Sequence, residues 1–191
     1  MTGSSVNRLE LLHFRTEICL KTITSTFAQV ILLIGLSVVA TMRVSAAEQG
    51  TSAATKARMI QLITMLESDP FLKDGKEVRG EVMSWLAEAP DVAVKVCPTV
   101  LGDFRKIKGD EGGTLVVQLM FSEAKFILEH PDKATDQHAI NVAGVEGVLR
   151  TYGAMKAAKP KLAIPEFDRL VKLQESGQLV AAVDEGLAKC K

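Results

Sequence analysis

Two histidines and four carboxylates gather in the middle of this chain: His130 and His138, with Glu123, Glu129, Asp132 and Asp136 around them. Imidazole and carboxylate groups are the side chains most often used for proton transfer and for holding divalent metals. Their spacing narrows the chemistry. The histidines are eight residues apart and Pro131 lies between them, so they cannot share one helical face at i and i+4 as His-Glu-x-x-His requires. Zinc needs three or four ligands in a defined geometry, and the sequence assigns no metal ligands. His130, just before Pro131, suits a helix C-terminus, where the dipole favours a basic group. His138 suits the first turn of the next helix. What remains is a candidate binding corner where two helices meet, made of His130, His138, Glu123, Asp132 and Asp136.

Nucleophilic chemistry finds no support. Ser84, Ser122 and Ser176 lack a Gly-x-Ser-x-Gly elbow, and Cys97 is followed by Pro98 with no histidine nearby in sequence. Glu77, Glu81 and Glu88 fall near one helical face and read as solvated carboxylates. Gly109–Gly113 lacks the Gly-Lys-Ser/Thr ending of a phosphate loop. No Cys-x-x-Cys-His is present, and Met59, Met65, Met83, Met120 and Met155 read as core fillers rather than haem ligands. The sequence therefore points to no catalytic residue and no cofactor.

The front of the chain bears on where it works. Residues 28–40 (AQVILLIGLSVVA) are an uncharged, mostly apolar run, preceded by Arg8, Arg15 and Lys21 and followed by Ser45, Ala46 and Ala47. That is the layout of a signal peptide over residues 1–47, with cleavage after Ala46 or Ala47. The run is shorter than the ~20 residues of a comfortable membrane span. Retention as an N-terminal anchor is the competing reading. The expected location is periplasmic or secreted, with no stable membrane span after cleavage. Residues 1–47 hold four of the 23 Lys and Arg and two of the 23 Asp and Glu, so the remainder carries about −2. That balance does not favour DNA or RNA as a partner.

Cys19 belongs to the signal segment, which leaves Cys97 and Cys190. In an exported chain two cysteines can pair without competition. Closing a loop of that length is worth at most ~4–5 kcal/mol by chain entropy. The alternative is a buried free Cys97 with an exposed Cys190.

The elements that must position these groups are helices. After a polar spacer at residues 48–56, apolar positions recur every three or four residues through residues 57–191. Helices are expected at 54–67, at 75–87 with Asp74 and Glu77 as a capping box, and from a Thr99 cap through Ile107. Lys108–Gly113 reads as an exposed turn, and Thr114 as the cap of a helix to Glu129 with a broad apolar face. Thr135 or Asp136 caps a long helix to Ala158, in which Gly144, Gly147 and Gly153 imply close packing. Helices from Pro165 to Leu173 and from Gln178 to Ala188 complete the chain, and Trp85 is expected in the core. The fold class is all-α: a compact bundle of six or seven short antiparallel helices after an N-terminal signal segment.

These readings favour an exported, non-enzymatic binding or structural module. Its partner would be a protein or an envelope component, contacted through the Lys108–Gly113 segment or the His130–His138 corner. The alternative is a small exported hydrolase or small-molecule carrier with a pocket near His130 and His138.

Overall fold

Six α-helices carry the architecture of residues 50–190, the part of the chain that the computed structural model describes. The expected signal segment 1–47, its expected cleavage point and Cys19 lie outside the described residues. The helices are Ala53–Ser68 (α1), Gly75–Glu88 (α2), Gly109–Glu129 (α3), Gln137–Ala158 (α4), Pro165–Glu175 (α5) and Leu179–Leu187 (α6). Three 3₁₀ turns, Pro98–Leu101, Phe104–Lys106 and Pro131–Lys133, join them, and no strand occurs among the described residues.

The centre is the α3–α4 hairpin. Glu111 in the first turn of α3 bonds Lys159, just past the end of α4, at 2.8 Å. At the other end Ile127 and Ile140 share one apolar cluster, so the two helices run antiparallel. Helix α3 feeds every part of the core, as its broad apolar face implies. Leu115 and Leu119 pack with Val145, Val148 and Tyr152 of α4, Phe167 and Leu170 of α5, and Val183 of α6. Phe121 points into a second cluster with Met59, Ile63 and Leu66 of α1 and Val82 of α2. Ala124 and Ile127 close a third with Val92.

Two of the three α4 glycines explain how closely the hairpin is drawn. A Cβ at Gly144 would sit 2.6 Å from Glu123 Cγ and 3.0 Å from Leu119 Cδ1, and one at Gly147 would overlap the Ser122 side chain. Gly153 faces open space, so close packing does not account for it. Gly147→Ala is expected to cost about 2 kcal/mol, the scale of an overpacked core. Gly153→Ala should instead stabilise by up to about 1 kcal/mol through helix propensity. Urea unfolding of the two variants checks both signs.

Several local expectations are corrected. Lys108–Gly113 is not a turn: α3 begins at Gly109, whose φ of +80° marks the entry. Asp110 and Glu111 place carboxylates where the helix dipole favours them. Gly112 packs against Ile107, 2.6 Å from its Cγ2 to a built Cβ, so this glycine serves contact rather than turning. Thr114 consequently caps nothing and donates its hydroxyl to the Asp110 carbonyl at 2.9 Å. Asp74 makes no side-chain cap bond, and Thr99 lies inside the first 3₁₀ turn rather than capping a helix. Asp136 does cap α4, accepting from the Ala139 N–H at 3.0 Å. Helix α1 starts at Ala53 behind a Ser52 cap, taking in the last residues of the expected spacer. Trp85 is half-buried, bridging the second and third clusters rather than filling one.

One buried hydroxyl positions α5. Tyr152 donates to Asp168 Oδ1 at 2.9 Å and accepts from the Ile164 N–H at 2.9 Å, so its polar atom is fully used despite complete burial. That burial pushes the Tyr152 phenol above its ordinary range. Lys156, 2.8 Å from Asp168, holds that carboxyl below its own.

Candidate functional site

The five residues singled out by spacing do not converge. His130 ends α3 with its ring tilted against Phe126, centroids 4.7 Å apart. His138 turns to α6 instead, placing Nε2 3.0 Å from Asp184 Oδ1 at a half-exposed contact. Asp136 is engaged as the α4 cap, and Asp132 is exposed on the connecting 3₁₀ turn. Glu123 is wholly buried between α3 and α4. Neither of its oxygens has a hydrogen-bond partner among the described residues, and the same holds for Asn141 Oδ1. Desolvation lifts the Glu123 carboxyl to about 8, so it is neutral at ordinary pH.

Of the five, His130 lines a concavity on this face. It borders a trough of about 230 Å³ together with Phe126, Lys125 and Arg150. A second hollow of about 350 Å³ lies on the α1 side, and Lys125 and Arg150 line both. Behind these two cations stands Glu67, a residue the sequence reading passed over. Its carboxylate, 5% exposed, accepts from Ser122 Oγ at 2.8 Å, from Arg150 Nε at 3.1 Å and Nη2 at 3.3 Å, and from Lys125 Nζ at 3.4 Å. Gln118 donates to Ser122 at 3.1 Å and completes the network.

This network can clamp three helices, because α1 supplies the acceptor and α3 and α4 supply the donors. Ser122 is 3% exposed, so its hydroxyl is no accessible nucleophile. Glu67 can be found in the sequence once sought: it follows Met59, Ile63 and Leu66 on the buried stripe of α1, an acid where the helical period demands an apolar residue. Glu67→Gln should cost about 2 kcal/mol, since an amide replaces the ionised acceptor facing two cations. Thermal unfolding at neutral pH checks this.

The other end of the bundle is closed covalently. Cys97 precedes the first 3₁₀ turn, Cys190 follows α6, their Cα atoms are 5.8 Å apart, and their sulfurs are at disulfide distance. Thr99 Oγ1 donates to the Gly186 carbonyl at 2.7 Å beside them. A Cβ at Gly186 would lie 2.6 Å from Val100 Cα, so the turn and α6 meet backbone to backbone.

No group of three or more His, Cys, Asp and Glu among the described residues could hold a metal ion. No described helix is long and apolar enough to cross a membrane. No family model matches the chain, and neither the curated proteins nor the solved structures include a match.

Proposed function

We propose that this chain is an exported, non-enzymatic helical module that binds a protein or an envelope component outside the cytosol. The observation that carries this reading is the Cys97–Cys190 pair, because structural disulfides persist in oxidising compartments and are rare in the cytosol. It agrees with the signal-like layout of residues 1–47. The engagement of the polar groups adds support. Glu67 is bound by three donors, Asp136 caps a helix, His138 faces Asp184, and Glu123 is buried. Such groups hold a scaffold together, and binding then falls to its surface.

Intact mass and thiol titration of the protein recovered from its native cell test this reading. The expected result is a mass beginning near Ala47 or Glu48, no free thiol and no disulfide-linked dimer. A full-length product would overturn processing and favour a membrane-held role. Three free thiols in that product, Cys19 included, would overturn the extracytoplasmic assignment as well.

A further inference from the structure

A cleft of about 600 Å³ opens beside the covalent join, between the segment following Cys97 and helices α5 and α6. Its floor consists of small residues, Thr99, Gly102, Ala182 and Gly186. Two of the floor carbonyls are already used. Gly186 O accepts from the Thr99 hydroxyl at 2.7 Å and Thr99 O accepts from the Gly102 N–H at 3.0 Å. The rim is charged, with Arg105, Arg169 and Lys189 against Asp103 and Glu185.

These charges are not equally available. Asp103 is taken by Arg105, at 2.9 and 3.3 Å, and by Lys106 at 3.8 Å. The ion pairs among the described residues include neither Arg169 nor Lys189. Arg169 is also placed. Gly102 adopts φ +89°, and a Cβ there would lie 2.9 Å from Arg169 Nη2, so the missing side chain lets the guanidinium lie across the backbone at the cleft. A guanidinium presents a flat fork of donors matched to the two oxygens of a carboxylate.

We propose that this cleft binds a carboxylate, with Arg169 as the bidentate anchor and Lys189 as the second positive charge. Three rim cations against two rim carboxylates leave a single net positive charge, which matches a monoanion. Glu185 works against a more highly charged phosphate. The carboxylate comes either from a free small acid or from the C-terminal end of a peptide. This inference rests on the binding-module reading and names the ligand chemistry of one surface.

The test is an amide chemical-shift titration of the ¹⁵N-labelled chain as its host processes it. The probes are propionate, trialanine, trialanine amide and inorganic phosphate. Saturable shifts at Gly102 and Gly186 are expected with the carboxylate probes and not with the amide. Saturation by trialanine alone identifies a peptide end, and saturation by propionate as well identifies a free acid. Arg169→Ala should weaken binding by about tenfold or more, the scale of a lost charge-assisted bond. Arg169→Lys should recover only part, and Arg105→Ala should matter less because Arg105 is engaged with Asp103. Arg169 is exposed, so each variant keeps a folded spectrum. The proposal is overturned if neither carboxylate saturates, if the amide or phosphate binds as well, or if Arg169→Ala binds like the wild type. Failure of the titration in a processed, thiol-free protein removes the carboxylate site and leaves the exported-module reading standing.

Discussion

Glu123→Gln removes a loss of roughly 4 kcal/mol that the wild-type protein suffers between pH 5 and pH 8.5. The wild-type carboxyl is 0% exposed, has no hydrogen-bond partner among the described residues, and is pushed up to about 8 by desolvation from an ordinary value of 4.5. The sign follows from the direction of that shift. Below about pH 4.5 the group is protonated in both folded and unfolded chains and costs nothing in charge. Above it the unfolded chain ionises while the folded one stays neutral, so stability falls by about 1.4 kcal/mol per pH unit. The fall ends once the folded carboxyl also ionises, near pH 8. Glutamine has no such titration, and its stability should be nearly flat over this window. Urea unfolding at pH 5, 7 and 8.5 measures both profiles. Parallel profiles for the two proteins would mean that Glu123 is solvated or paired in solution.

Loss of the Cys97–Cys190 bond should lower stability by about 4 kcal/mol, close to the entropy of closing a loop over a separation of 93 residues. Cys190→Ala is the cleaner variant because Cys190 is exposed, whereas Cys97 is buried and its truncation adds a packing defect. The damage should be uneven. Helix α6 is held to the 3₁₀ turn by the bond, by Thr99 and by the Gly186 backbone contact, while α3 is enclosed on several sides. Amide exchange over Leu179–Leu187 should therefore accelerate well before exchange in α3. Equal urea midpoints for oxidised wild type and Cys190→Ala would show that the bond contributes nothing to the folded state.

The helical architecture is legible from residue types because its signals are local. Asp136 supplies a cap, Asp69-Pro70 and His130-Pro131 end helices, and the apolar stripe of α4 runs unbroken through Val145, Val148 and Tyr152. The Lys108–Gly113 segment misleads because three glycines outweigh two acids on any local scale. Only the contact between Gly112 and Ile107, made after folding, shows why glycine is present. The candidate corner misleads for a related reason. Proximity in sequence places His130 and His138 together, but the direction of a side chain depends on which helix its own helix packs against, and α6 claims His138. Glu67 and Arg150 are 83 residues apart, so their meeting is a tertiary fact. Glu123 could have been read more sharply: it sits four residues after Leu119 and four before Ile127, on a stripe that both neighbours bury.

The cysteine pair also divides the molecule topologically. Everything from Cys97 to Cys190, including α3 to α6, is threaded on one covalent ring, while α1 and α2 hang from it by a single strand of chain. A protease that nicks any loop within the ring leaves both pieces attached, and the cut shows only after reduction. A cut in the connector between α2 and Cys97 leaves α1 and α2 held by side chains alone: Met59, Ile63 and Leu66 against Phe121, and Glu67 against Lys125 and Arg150. The same chemistry that locks one end of the bundle therefore leaves its first two helices as the part that can come away.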